Sequence, residues 1–508
     1  GSPKNTLGIG NRVILKTKNG QQVQDLFPTR GWISSVEPVL IFGIDNLDII
    51  DEVKVKWFDG KEEILKNLPA NSTITFNYQD SETPKFKNNT TRRNKIFKKI
   101  ENAGGITFEH KENDFIDFKY DKLMPRMISN EGPKIAVGDI NGDGLDDFYV
   151  GGAKDQSGEL FIQKKNRNTI FEKKYVKDFY NDRASEDTGI VFLDVDKDND
   201  LDLYVVSGGG EPFDDLITKD RLYINDGLGN YKKSNSHPQL NFNGSCVVSG
   251  DFNSDGNLDI FVGARSIPGS YGKHYRSRLL LGDGIGALYD FTENTFANNV
   301  NLGMVTDAVW LEDSKELVVV GEWMPITIID FNFIPLYEKK IANTSGWWNT
   351  IEKADVDGDG DQDLLLGNLG LNTNIKASVN FPVNLYIKDF DGNSKTDPIM
   401  SYFKDGNEYP YYGLDEMGAQ LVELKKQYRT YESYANSKFQ DVFPKDKLED
   451  SNRLQSVAFE SVFLENKQLG KFEIHKLPND LQMSPIYSFA IDDFNSDGVT
   501  DFIAGGNF

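Results

Sequence analysis

The stretch DINGDGLDDFYVGG, residues 139–152, decides the fold. Its first nine residues follow D-x-[DN]-x-[DN]-x-x-x-D, and an apolar run ending in glycine follows at once. The pattern returns as DVDKDNDLD from Asp194, DFNSDGNLD from Asp251, DVDGDGDQD from Asp355, DFDGNSKTD from Asp389 and DFNSDGVTD from Asp493. The first three copies begin 55 and 57 residues apart. The long gap after Asp251 holds one further unit, LEDSKELVVVG at 311–321, whose strand survives while its loop lacks the carboxylate spacing. With that unit counted, seven repeats are expected.

A second element accompanies the first. RLYINDGLGNYKK (221–233), RLLLGDGIGALYDF (278–291) and VFLENKQLGKFEIH (462–475) read as strand, glycine-containing turn, strand. Each unit is then strand, acidic loop, strand and hairpin. A four-stranded unit repeating every 40–57 residues is expected to form one blade of a β-propeller. The fold class expected is all-β: a seven-bladed propeller over 105–508, a small N-terminal β-domain and a helical insertion.

The insertion falls near 411–450, where Leu414, Met417, Leu421, Leu424, Tyr428 and Tyr431 recur at steps of three and four, the stripe of an amphipathic helix. It is expected to pack on the propeller wall; docking a partner is the other use of such a stripe. Residues 1–80 hold RVILKTK, DEVKVKWF and STITFNY, strand-like runs of a small β-domain. Residues 81–104 carry Arg92, Arg93, Lys95, Lys98 and Lys99 and read as a solvated linker.

The 508 residues are 38% hydrophobic, enough for a substantial core, and carry a formal net charge of −23, which opposes nucleic-acid binding. The single cysteine, Cys246, permits no internal disulfide and sits in an apolar run, so it is expected to be buried. No apolar run is long enough to span a membrane. The opening Gly1-Ser2 reads as a cloning scar, so a missing signal peptide excludes nothing about export.

The Asp spacing explains the acidity. A hard cation such as calcium takes six to eight oxygens at about 2.3–2.6 Å. Carboxylates or amides at positions 1, 3, 5 and 9, with the backbone carbonyl of position 7, can converge on one ion. The ligand sets are Asp139, Asn141, Asp143, Leu145 and Asp147; Asp194, Asp196, Asp198, Asp200 and Asp202; Asp251, Asn253, Asp255, Asn257 and Asp259. The remaining three are Asp355, Asp357, Asp359, Asp361 and Asp363; Asp389, Asp391, Asn393, Lys395 and Asp397; and Asp493, Asn495, Asp497, Val499 and Asp501. Glycine at position 6 permits the sharp turn at Gly144, Gly256, Gly360 and Gly498.

An EF-hand is excluded. It needs a Glu at position 12 and flanking helices, whereas position 12 here is Val150, Val205, Val262, Leu366, Met400 or Ala504. Magnesium keeps its waters and demands a strict octahedron, and zinc or iron favour His and Cys, of which there are four and one. Five or six Ca2+ sites are expected, with the loop at Asp389 the weakest, since it has Asn393 and Ser394 at positions 5 and 6.

The loops followed by apolar-apolar-apolar-Gly resemble the FG-GAP/VCBS repeats of integrin α-chain propellers. Gly8-Ile9-Gly10-Asn11-Arg12-Val13, Phe42-Gly43 and Val53-Lys54-Val55-Lys56-Trp57-Phe58-Asp59-Gly60 resemble an ASPIC/UnbV domain. The pairing is similar to cartilage-acidic-protein-like proteins, and GEWMP (321–325) and GWWN (346–349) are similar to Bacteroidota VCBS-repeat proteins. The resemblance implies export, a place at the cell surface, at the outer membrane or outside the cell, and partnership with SusCD-type outer-membrane complexes or an extracellular glycan or peptide. After the strand of the last repeat the final hairpin is missing; either the chain is a fragment or Ile106–Phe118 closes the ring.

No G-x-S-x-G, H-E-x-x-H, P-loop or dinucleotide fingerprint is present, so a binding module is expected rather than an enzyme. The alternative is a polysaccharide lyase-like enzyme, for which His274 beside Arg265, Tyr271, Lys273 and Arg276 is the one cluster on offer. Trp323, Trp347 and Trp348, near strand ends, can stack on a ligand or fill gaps between blades, and gap-filling is the preferred expectation.

Overall fold

The computed structural model describes residues 5–506 apart from 30, 84–96, 98, 100–103, 166–169, 212–217, 296–300, 334–335 and 468–470. The basic linker residues Arg92, Arg93, Lys95 and Lys98 lie outside these. The chain divides into two compact units, Gly1–Lys98 and Lys99–Phe508.

The first unit is one antiparallel sheet in the order Gly20–Asp25, Arg12–Thr17, Ile49–Lys56, Glu62–Pro69. Alternation sets its faces: Val53 and Val55 are buried, while Lys54 and Lys56 reach ion-pairing distance of Glu62. Leu15, Ile50 and Val53 form its core with Phe42 and Leu68 against them. The expected strand STITFNY does not join the sheet; Ile74 and Phe76 pack on that core from an irregular segment.

The second unit is built of successive antiparallel sheets. The first pairs Ile135–Gly138, Asp147–Val150, Glu159–Gln163 and Phe171–Lys174 in sequence order. The second runs from Glu186–Leu193 to Lys232–Ser234, the third from Gly244–Gly250 to Leu288–Asp290, and the fourth from Met304–Leu311 to Tyr337–Lys340. The fifth joins Thr350–Ala354 and Asp363–Gly367 to Val462–Asn466 and Phe472–Lys476; the sixth has two strands, Ile486–Asp492 and Asp501–Gly506.

Apolar clusters lie between consecutive sheets, which makes the sheets blades of a β-propeller. Tyr149 and Leu160 pack on Leu203 and Tyr223; Tyr204 and Val206 pack on Ile260 and Val262. Phe261 meets Val305 and Leu317, Val318 meets Ile351 and Leu364, and Leu365 meets Ile486 and Phe489. Hydroxyls on first strands stitch neighbouring blades together. Thr188 Oγ1 donates to Gly244 O at 3.0 Å, Ser245 Oγ to Val305 O at 2.7 Å, and Thr306 Oγ1 to Trp348 O at 2.9 Å.

Three expectations need correction. The loop at Asp389 does not open a blade of its own. Its strands Val383–Lys388 and Asp397–Lys404, with Asn407–Pro410 and Asn452–Ser456, form a sheet inserted between the second and third strands of the fifth blade. The expected count of seven therefore does not follow from the loops. The stripe at 414–431 is not one helix but part of a run of short ones, because Leu421 at φ −109°, ψ 86° breaks it after Leu414–Gln420. Leu414, Met417, Leu421, Leu424 and Tyr428 are buried with Leu123 and Phe439, whereas Tyr431 is 66% exposed. Ile106–Phe118 forms no strand.

Candidate metal centre

Each acidic loop connects the first strand of a sheet to the second, and five of the six are wound by the same backbone hydrogen bonds; in the loop at Asp355 the N–H groups of Gly358 and Gly360 donate to Asp355 while that of Asp359 donates to Asp357. The position 1 carboxylate accepts the N–H groups of positions 5 and 6: Asp143 and Gly144 donate to Asp139 at 3.1 and 2.8 Å, Asp255 and Gly256 to Asp251 at 3.0 Å each. Asn393 and Ser394 donate to Asp389 at 3.0 and 2.7 Å, and Asp497 and Gly498 to Asp493 at 3.0 and 2.8 Å. The position 5 side chain then accepts the N–H of position 7, as Asp198 does from Asp200 and Asp359 from Asp361.

This winding requires positive φ at position 4 as well as position 6. Glycine serves both at Gly142 and Gly144, but Lys197 and Asn199 adopt φ 63° and 70°, and Ser254 and Ser496 both adopt 60°. Position 4 carried no recognisable signal, since only three of its six occupants are glycine.

The position 9 carboxylate has a further role. Asp147, Asp202, Asp259 and Asp363 are fully buried. One oxygen of each accepts the N–H of position 2, from Ile140, Val195, Phe252 and Val356 at 3.0–3.3 Å. The other accepts a backbone N–H at the end of the third strand: Gln163, Asn225, Gly282 and Asn466 donate at 2.7–2.9 Å. These residues tie the loop to the hairpin. In the inserted sheet Asp397 takes its second bond from Gln420 Nε2 at 2.5 Å.

Electrostatics divide the loop. Backbone donors Gly144 and Gly498 hold Asp139 and Asp493 below the usual carboxylate range. Burial first, then the neighbouring carboxylates, push Asp200 up to about 6. Asp202 rises to about 7 and Asp259 to about 6, with burial again the main cause.

Three loops gather carboxylate oxygens within 4.8 Å of one another: Asp194 with Asp196 and Asp202, Asp355 with Asp357 and Asp359, and Asp389 with Asp391 and Asp397. Buried oxygens without a hydrogen-bond donor test the fit: Asp196 Oδ1, Asp200 Oδ1, both oxygens of Asp361, and Asp501 Oδ2. Such atoms are costly unless something positive meets them, so the oxygen-only set fits a hard cation. Asp200 and Asp361 occupy position 7, where only the backbone carbonyl was expected to contribute; their side chains are additional candidate donors. In the loops at Asp139 and Asp251 a neutral amide stands at position 3 in place of a carboxylate, and Asn141 Nδ2 donates to Asp147 at 3.2 Å and Asn253 Nδ2 to Asp255 at 2.9 Å.

The other candidate residues are placed differently. Trp323, Trp347 and Trp348 are buried, and Trp323 and Trp347 lie 5.0 Å apart between ring centroids. Trp323 Nε1 donates to Tyr271 Oη at 2.9 Å and Trp348 Nε1 to Thr344 O at 2.9 Å, so they fill gaps and do not present a stacking face. Arg265 is buried and pairs with Glu131 at 2.9 Å; Tyr271 donates to Glu322 at 3.0 Å. Arg276 pairs with Glu293 at 2.6 Å and His274 Nδ1 contacts Tyr275 O at 2.9 Å. Arg265, Tyr271, His274 and Arg276 thus each meet a partner within the protein. Cys246 is buried and free, its thiol pushed up to about 12 by burial.

Residues 1–83 match the family model described as ASPIC and UnbV, and residues 139–205 match the one described as FG-GAP-like repeat. No curated protein matches the chain. Among solved structures, the major Malassezia sympodialis allergen Mala s 1 shares 11% identity over 57% of this chain and 88% of that one, with a TM-score of 0.29. The Dos1 propeller shares 10% over 63% and 61%, at 0.28, and the V. cholerae biofilm matrix protein Bap1 12% over 74% and 77%, at 0.27.

Proposed function

We propose that this chain, an ASPIC and UnbV domain joined to FG-GAP-like repeats, is a calcium-braced binding scaffold that works outside the cell. The observation that carries the proposal is the set of buried, donorless oxygens at Asp196, Asp200 and Asp361, inside loops whose position 1 and position 9 carboxylates are held by backbone N–H groups. A divalent ion at those oxygens relieves the crowding of carboxylates and pins the first two strands of a blade to each other.

Calcium is the preferred ion because every candidate donor is oxygen and the irregular cradle suits its flexible coordination. Extracellular calcium modules bind at about 10⁻⁴–10⁻³ M, concentrations met outside the cell and not in the cytosol. No helix of the described residues is long and apolar enough to cross a membrane. The proposed partner is a protein at the outer membrane, of the SusCD type that the resemblance implies, or an extracellular glycan or peptide.

Pull-down from a native outer membrane in calcium, with and without chelator, tests the partner; a specific calcium-dependent complex is expected, and no stable complex would count against it. Incubation with a glycan panel is expected to yield no new reducing ends or unsaturated products, and either product would make the chain an enzyme.

A further inference from the structure

In the second, third and fourth blades the turn between the third and fourth strands holds one apolar side chain out in solvent: Leu228 is 65% exposed, Ile285 82% and Phe333 61%. The first two turns are built alike. Asp226 accepts the N–H groups of Leu228 and Asn230 at 3.0 and 3.2 Å, and Asp283 those of Ile285 and Ala287 at 3.0 Å each. Glycines at positive φ flank both apexes, at Gly227, Gly229, Gly284 and Gly286. A braced turn therefore presents each of these side chains. The turns lie on the same face as the acidic loops. Asn225 Nδ2 donates to Ile140 O at 2.9 Å, Gly286 N to Val195 O at 3.3 Å and Asn332 Nδ2 to Ser314 O at 2.8 Å. A lysine stands beside each turn. Lys174 Nζ donates to Leu228 O, Lys197 Cε lies 3.3 Å from where a Cβ on Gly284 would sit, and Lys315 O accepts the N–H of Phe331 at 3.0 Å.

We propose that this face docks on a lipid bilayer with anionic headgroups, where Leu228, Ile285 and Phe333 enter the interface and Lys174, Lys197 and Lys315 meet the phosphates. An apolar side chain beside a lysine on a protruding turn matches the boundary between acyl chain and headgroup. The three apexes stand one to a blade among acidic loops, so they form no contiguous apolar patch for the core of a protein interface to cover. A bilayer takes such side chains singly, since each buries its own surface. Charge complementarity sets the condition. The formal net charge of −23 opposes an anionic surface, and the loops at Asp139, Asp194 and Asp251 adjoin these turns, the last through Lys315 Nζ on Ser254 Oγ at 2.8 Å. Calcium in the loops removes that repulsion. Docking is therefore calcium-dependent, which rests on the metal binding proposed above.

The test is flotation of the 508-residue chain with vesicles of phosphatidylcholine alone, or mixed equally with phosphatidylglycerol, in calcium and in chelator. Flotation is expected with the anionic vesicles in calcium and is expected to be lost in chelator or with phosphatidylcholine alone. Leu228→Asn, Ile285→Asn and Phe333→Asn are each expected to weaken it about tenfold. All three side chains are exposed, so the melting temperatures of the variants should match the parent. No flotation with anionic vesicles would overturn the proposal, as would equal flotation of the triple variant. Self-association of the free chain that the triple variant abolishes would assign the turns to a second copy and overturn it too. The effect of calcium on the melting temperature, read without vesicles, reports the loops alone. A shift there with no flotation sinks the docking surface and leaves the metal sites, whereas flotation that falls in the turn variants with no such shift sinks the metal sites and leaves the docking surface.

Discussion

The backbone N–H of Asn225 donates to Asp202 Oδ1 at 2.8 Å, so the last carboxylate of an acidic loop is also the anchor of the hairpin that follows. Asp202 Oδ2 takes the N–H of Val195 at 3.1 Å, so both oxygens of this fully buried side chain accept backbone donors. Substituting Asp202→Ala orphans two buried donors and is expected to cost about 3 kcal/mol by urea unfolding, with or without chelator. Asp198→Ala is expected to lose most of its effect in chelator. Equal chelator sensitivity of the two variants would contradict this division of labour.

Arg221 Nη2 meets Asp187 Oδ1 at 2.7 Å with both side chains almost fully buried, and Asp187 also accepts the hydroxyl of Tyr149 at 3.0 Å and the N–H of Gly152 at 2.9 Å. The pair lies within the second blade, and Asp187 ties it to the first through Tyr149 and Gly152. Arg221→Ala strands a buried carboxylate and is expected to destabilise by about 3–5 kcal/mol. The double variant Arg221→Met, Asp187→Leu is expected to lose less than the sum of the two single changes, as a double-mutant cycle in denaturant would measure.

Stability is expected to fall with rising pH through two groups remote from the metal loops. Burial, with Glu112, Asp187, Glu131 and Asp117 nearby, pushes Glu186 up to about 9. Burial pushes Asp220 up to about 7, opposed by donors Ser207 and Tyr204. Both folded-state values lie above the unfolded-state values near 4. The unfolded chain therefore gives up these protons first, and stability declines from about pH 4 until about 7 for Asp220 and about 9 for Glu186. Glu186→Gln removes its share, so the variant should gain on the parent between pH 5 and pH 9 in urea titrations. A difference that does not change with pH would contradict this.

Met417 is fully buried in the inserted helices, against Leu123 and Phe439, while Tyr431 is exposed and donates to Asp415 at 2.9 Å. Met417→Ala is expected to cost about 2–5 kcal/mol and Tyr431→Ala under about 0.5 kcal/mol, readable as urea midpoints. Similar losses from both would restore a single continuous helix with Tyr431 on its buried face.

The loops and hairpins were legible in the sequence because their signals are local. Asp at alternate positions, a following apolar run and a D-G-x-G turn at Asp226–Gly229 or Asp283–Gly286 all lie within a dozen residues. Nesting was not legible. Strand Asp363–Gly367 pairs with Val462–Asn466 across an insertion that contains its own acidic loop, and a repeat pattern cannot say which sheet a hairpin joins. The left-handed residues Lys197, Ser254 and Ser496 escaped because nothing in a lysine or serine announces positive φ. The break at Leu421 was invisible to periodicity, since Leu424 and Tyr428 stay buried on the far side of it.

Thermal unfolding of the 508-residue chain across a calcium titration, against the same protein in chelator, addresses the donorless oxygens of Asp196, Asp200 and Asp361 most directly. An ion bound only by the folded state adds about 2.7 kcal/mol per site at a hundredfold excess over Kd, so the midpoint should climb by several degrees in calcium and fall in chelator. A melting temperature that neither saturating calcium nor chelator moves would show that these loops hold no ion.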